Sequence, residues 1–219
     1  MSDIRVHLIE AAVHGRYLLR PATGSPAGIL VGFHGYGESA PTHLESLAEI
    51  PGAESWAIAC IQGLHPFYTR SGEVVASWMT KLDRGVAITD NIAYVRAAVG
   101  EVLESSGIDG PLVYAGFSQG VAMAYRAAAA GGHACRGLIA LAGDVPPELA
   151  EQDLSGFPRV LIGRGSSDSW YSEEKLTADV QLLRGRGVEV DFERFDGGHE
   201  WVPVFHQRCG ELLSRLASG

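Results

Sequence analysis

The chain has 219 residues, room for one domain with a full hydrophobic core and too little for two of ordinary size, so a single domain over 1–219 is expected. With 46% apolar and 20% charged residues it has the balance of an ordinary globular protein rather than a disordered or membrane-spanning one. A formal charge of −9, from 17 basic and 26 acidic residues, argues against a nucleic-acid partner, because counterion release needs clustered Lys and Arg.

Met1–Glu10 alternates apolar with charged residues and lacks the apolar core and cleavage site of a secretory signal. Cys60, Cys135 and Cys209 are odd in number and far apart, which suits reduced thiols. A cytoplasmic setting without stable membrane insertion is expected. Only Lys81 and Lys175 are lysines, and the wealth of Arg, Ala and Gly fits a GC-rich bacterial genome.

In chain order, Ile4–Leu8 and Tyr17–Arg20 read as an antiparallel pair at a sheet edge. Continuous apolar runs then mark strands buried on both faces at Gly28–Phe33, Trp56–Ile61, Leu112–Phe117, Gly137–Ala142, Arg159–Gly163 and Val188–Phe195. Between them, Arg84–Ser105 places Ile88, Ile92, Val95, Val99 and Val102 on one helical stripe. Gln119–Ala130, Ser172–Arg186 and Glu200–Ala217 are further helices, the last interrupted early by Pro203. Strands alternating with helices predict an α/β fold with a mostly parallel, doubly wound sheet, whose site lies at the carboxyl ends of the strands. Gln62–Asp83 is the one long stretch without obvious regular structure, and such a loop is often functional.

Ser118 lies in Gly116-Phe117-Ser118-Gln119-Gly120, between an apolar strand and an Ala-rich helix. This is the context of a nucleophile elbow, whose tight turn needs glycine on either side of the serine. A helix-capping serine would match the same five residues. What favours catalysis is company. His199, in Asp196-Gly197-Gly198-His199 just past the last strand, is placed as a general base. Asp168, in the turn after Arg159–Gly163, can orient it; Asp144 is the rival, and Asp196 is too close in sequence to reach back to the ring. His34-Gly35-Tyr36-Gly37 follows an early strand and suits an oxyanion hole made by the amides of Tyr36 and Gln119.

Other chemistries find no support in the spacing. There is no phosphate-binding glycine pattern, and Pro203 occupies the second histidine position of what begins as H-E-x-x-H at His199, so neither a cofactor nor a metal is expected. A general base must be neutral, and an ordinary histidine titrates near about 6.5, so activity is expected to rise through that pH.

With H-G-Y-G at 34–37, S-W at 77–78, G-F-S-Q-G at 116–120, the turn holding Asp168 and G-G-H at 197–199, nearly the whole chain resembles the phospholipase/carboxylesterase family of α/β hydrolases, which includes the acyl-protein thioesterases. The resemblance implies an α/β-hydrolase fold and a small-molecule ester or thioester substrate, with carboxylesterase, lysophospholipase and acyl-protein thioesterase activities as the options. Two turns depart from the family pattern. Ser-Trp-Tyr follows Asp168 where Val-Pro is usual, and Trp78-Met79-Thr80 stands for W-F-D.

About fifty residues separate Ser118 from Asp168, which leaves no space for a cap domain. The site should be open and bordered mainly by Gln62–Asp83, with Trp78, Trp170, Tyr171 and Trp201 as aromatic pocket walls. Homodimerisation, common for domains of this kind, is left open by the sequence.

Overall fold

The computed structural model describes residues 4–218. Its elements follow in chain order as β1 (Tyr17–Arg20), β2 (Gly28–Phe33), α1 (Ala40–Ala48), β3 (Trp56–Ile61), β4 (His65–Tyr68), β5 (Val74–Ser77) and α2 (Arg84–Ser106). The second half contributes β6 (Leu112–Phe117), α3 (Gln119–Ala130), β7 (Gly137–Leu141), β8 (Arg159–Gly165), α4 (Glu173–Gly185), β9 (Val190–Phe195) and α5 (Pro203–Ala217). Seven strands form one sheet in the order β1-β3-β2-β6-β7-β8-β9, with every pair parallel except β1 on β3.

Side chains alternate between the two faces of the strands, and each face finds its own cover. Ile29, Val31 and Phe33 of β2 pack with Val95, Val99 and Val102 of α2, and with residues of α3 and α4. Leu30 faces the other way, toward Leu47 of α1 and Phe205, Leu212 and Leu213 of α5. The connection from β2 runs through α1 on one face to β3, and that from β6 through α3 on the other face to β7, so the winding along the sheet reverses between the parallel neighbours β2 and β6. That switch point opens a crevice beyond the carboxyl ends of β2 and β6.

The apolar runs became strands almost as their composition dictates, with differences at the ends. β7 stops at Leu141 because Ala142 turns to φ 57, and β9 begins at Val190. Pro203 starts α5 rather than interrupting it, as a residue without an N–H can at a first helical position. Ile4–Leu8 is not a strand. It has no regular structure and is exposed, and Tyr17–Arg20 pairs with β3 instead. Residues 1–3 of the alternating N-terminal stretch lie outside the described residues. Within Gln62–Asp83, β4 and β5 form an antiparallel hairpin that the sequence reading took for loop. Among the described residues no helix is long and apolar enough to cross a membrane.

Candidate active site

Ser118 sits between β6 and α3 with φ 51 and ψ −118, a conformation that costs a non-glycine residue about 1–3 kcal/mol. Its neighbours explain how the turn closes. A Cβ on Gly120 would stand 1.9 Å from the Phe33 carbonyl oxygen, and one on Gly116 would stand 2.6 Å from the Gly120 oxygen. Only glycine lets α3 start this close to the end of β2. The side chain of Ser118 caps no helix amide; its Oγ lies 2.8 Å from Nε2 of His199.

Nδ1 of His199 lies 2.8 Å from Oδ2 of Asp168, so one imidazole bridges the serine and the carboxylate. Asp168 has no exposed side-chain surface, and its Oδ1 accepts from the amides of Trp170 (2.8 Å) and Tyr171 (3.0 Å). Burial alone would raise its pKa, but those two amides and His199 together bring it below the usual value. An ionised Asp168 favours the His199 tautomer that carries its proton on Nδ1 and offers Nε2 as acceptor.

Two loops have to meet for this contact. Ser167 donates to the Gly197 carbonyl through both its amide (2.9 Å) and its hydroxyl (2.6 Å). A Cβ at Gly165 would fall 2.1 Å from the Gly198 oxygen, so glycine is required at that approach as well. Buried Arg164 steadies the Asp168 turn by donating to the Tyr171 carbonyl (2.8 Å) and to Glu173 (3.2 Å). Asp144 does not reach His199. It accepts from Lys175 Nζ at 3.1 Å, and Asp196 lies 3.4 Å from the Ser166 hydroxyl.

The loop after β2 lies against the serine, since a Cβ on Gly35 would come within 3.3 Å of Ser118 Cβ. Gly35 N–H donates to Glu38 (2.7 Å) and Gly37 N–H to the Ala76 carbonyl (3.0 Å). The amides of Tyr36 and Gln119 are left without an acceptor among the described residues, which frees both for a ligand. Burial raises the pKa of Glu38, against the opposing pull of the Gly35 amide and His199.

The Gln119 side chain, which the sequence reading did not use, ties this centre to the segment before α2. Its Oε1 accepts from Trp78 N–H (2.9 Å) and its Nε2 donates to the Met79 carbonyl (2.8 Å). Asn91 of α2 donates to the Trp78 carbonyl from the other side (2.8 Å).

No protein-family model matches the sequence, and neither does any of the curated proteins. Solved structures do match. A carboxylesterase from Mesorhizobium loti is 23% identical with a TM-score of 0.75, over 91% of this chain and 94% of that one. Esterase PE8 is 18% identical with a TM-score of 0.73, over 93% of this chain and all of the other. Acyl-protein thioesterase 2 from Zea mays is 19% identical with a TM-score of 0.68, again over 93% and 100%. The chain has the α/β-hydrolase fold. Its structural neighbours include the two kinds of protein that the sequence motifs resemble. As the short interval after Ser118 implied, only α3, β7, a short 3-10 turn and β8 separate it from Asp168 among the described residues, so the fold carries no cap there.

A cleft of about 420 Å³ opens beside Ser118 and His199. One wall is α3, with Gln119, Ala122 and Arg126 on a single helical face. Trp170 and Tyr171 line it, the former 75% exposed, the latter buried with its hydroxyl donating to Asp179 (2.9 Å). Trp78 does not. It is fully buried, its Nε1 donates to the His34 carbonyl (2.9 Å), and its ring packs on Phe33 and His34. Trp201 is also absent from the cleft, packing against Phe117 and stacking on His206 at 5.1 Å. Of Gln62–Asp83 only Met79, Thr80 and Lys81 line the cleft; the turn after β7, from Ala142 to Pro147, supplies a wall that the sequence reading missed.

Lys81, Arg84, Arg126 and Lys175 also line the cleft. Arg126 was legible in principle as the one charge in the Ala-rich Q-G-V-A-M-A-Y-R-A-A-A-A helix. Among the described residues no group of three or more His, Cys, Asp or Glu is arranged to hold a metal ion.

Proposed function

We propose that the protein is a serine hydrolase of carboxylic esters or thioesters, with the whole chain as one catalytic domain. The observation that carries this reading is the single imidazole of His199, held 2.8 Å from Ser118 Oγ on one side and 2.8 Å from buried Asp168 on the other. Ser118 Oγ attacks the acyl carbonyl carbon while its proton passes to His199 Nε2. The carbonyl oxygen becomes an oxyanion held by the amides of Tyr36 and Gln119, in a strained turn that needs no rearrangement at the moment of reaction. As the tetrahedral centre collapses, the bond to the leaving group breaks and that group takes the proton from His199. A water molecule then attacks the acyl-enzyme, gives a proton to His199, and releases the acid as Ser118 recovers its own.

Carboxylesterase activity on short or polar substrates suits the cleft better than hydrolysis of long acyl chains. A long alkyl group would lie against Lys81, Arg84 and Lys175 and desolvate them without offering a partner. The esterase and thioesterase neighbours support the same class. Labelling by a fluorophosphonate probe tests the proposal: wild type should be labelled and Ser118→Ala should not. Equal labelling of both proteins, or none of the wild type, would overturn it and favour a binding protein built on the same fold.

A further inference from the structure

Arg126 is the buried cation of the cleft. Its side chain is only 2% exposed, on a helix with no other charged residue. A guanidinium has five N–H donors. Nε donates to Glu148 Oε1 at 2.7 Å, and Nη1 faces only the Met79 sulfur at 3.8 Å, a weak acceptor. Nη2 has no partner among the described residues. A buried arginine normally spends its fork on carboxylate or carbonyl oxygens, and here Nη2 is buried without one.

The surroundings point the same way. Lys81 and Arg84 add two cations that no acid of the lining offsets, since its one acid, Asp144, is paired with Lys175. This positive cleft belongs to a chain of net charge −9, so it does not follow from the overall composition. Such a cleft draws anions toward the serine. Met79, which also lines the cleft, is unbranched and flexible, and its sulfur can give way to an oxygen ligand at Nη1.

We infer that the substrate carries a carboxylate several bonds from the scissile carbonyl, and that the unpaired edge of Arg126, Nη1 and Nη2, takes it as a bidentate pair once the Met79 sulfur has moved aside. The inference rests on the proposed hydrolysis at Ser118 and adds the substrate class: esters or thioesters of acidic compounds. Arg126 stands seven helical steps beyond Gln119, about 10 Å at 1.5 Å per residue. Because helical side chains lean toward the N-terminus, the guanidinium reaches back toward Ser118. The carboxylate therefore sits on the order of 5–10 Å from the reacting carbon.

The experiment compares kcat/KM for p-nitrophenyl esters of ω-carboxy acids of increasing length, from glutarate upward, with the ω-methyl esters of matched length. A second arm places the carboxylate in the leaving alcohol of acetate esters. Wild type should prefer the charged member of a pair by about 10- to 100-fold at its best length in one arm, as expected for a charged hydrogen-bonded contact. Arg126→Met should bring that ratio close to one. Glu148→Gln, which removes the competing carboxylate, should raise it. No charge preference in wild type in either arm, or a preference unaltered in both variants, overturns the inference while turnover of the uncharged esters through Ser118 leaves the hydrolase proposal standing. If neither charged nor uncharged esters are turned over, both fall together.

Discussion

The ends of β2 and β6 and the cleft wall beside α3 are built on different terms. At the strand ends the backbone decides: Gly116, Gly120 and Gly165 each sit where a Cβ would collide with main-chain atoms, and Ser118 is held at a positive φ. Along the cleft the side chains decide, with Met79, Arg126, Trp170 and Lys175 contributed by four separate segments. Such a division separates chemistry from selectivity. Under the proposed function, the strained turn sets what bond can be broken, and the cleft wall can vary what is attached to it.

The largest effect expected at the strand ends is from Ser118→Ala, which should lower kcat by about 10⁶ while leaving the fold intact. Esterase assays beside a circular-dichroism melt check both halves of that statement, and a variant that keeps its activity would break the comparison. Asp168→Asn should cost about 10⁴ in kcat, because an amide can no longer hold the His199 tautomer. A loss below tenfold would show that Asp168 only shapes its turn.

Two tryptophans sharpen the contrast. Trp78→Ala should lower stability by about 3–5 kcal/mol, since the ring is fully buried and its Nε1 holds the His34 carbonyl. Trp170→Ala should change stability by no more than about 0.5 kcal/mol and alter the ranking of ester substrates, because it is exposed at the cleft. Denaturant melts and an ester panel on both variants would expose a reversal of these roles.

The smallest effect lies behind the cleft wall. Asp179, which accepts from Val145 N–H and the Tyr171 hydroxyl, has its pKa pushed up to about 6, chiefly by burial, with Asp144 adding to it. A carboxyl whose folded pKa exceeds its unfolded value of about 3.9 binds a proton that the unfolded chain has already lost. Its contribution to stability is therefore lost as pH rises between those values. Asp179→Asn removes the penalty, so the Tm of the variant relative to wild type should increase from pH 4 to pH 7. A difference independent of pH would contradict this.

Much of the scaffold was legible because β2, β3 and β6 are buried on both faces and so appear as uninterrupted apolar runs. The α1 helix was not, since only Ala40, His43 and Leu47 face inward and a histidine hides the stripe. Hairpin β4–β5 escaped notice for a related reason: His65-Pro66-Phe67-Tyr68 is largely exposed and carries no alternation of burial. Ile4–Leu8 taught the opposite lesson. Its alternation is real, but a strand needs a partner edge, and β1 uses the edge of β3.

Ser118, Asp168 and His199 stood out as candidates because each lies at or within a few residues of the carboxyl end of a strand, where chain order alone suggests a role. Of the cleft wall, Trp170 and Tyr171 stood out through their nearness to Asp168, and the rest left no such trace. Trp78 and Trp201 looked like pocket residues only through nearness in sequence to other candidates, whereas Trp78 is fully buried and Trp201, partly buried, packs on Phe117 and His206. Arg126 gave the converse signal, a charge on an apolar helix whose surroundings only the folded chain reveals.

The central claim is that one serine is acylated through the His199 bridge. Peptide mass spectrometry of protein quenched during p-nitrophenyl acetate turnover tests it most directly. An acetyl group on the peptide holding Ser118, absent in Ser118→Ala, is the predicted result; acylation at another residue, or turnover that persists in Ser118→Ala, would contradict the account.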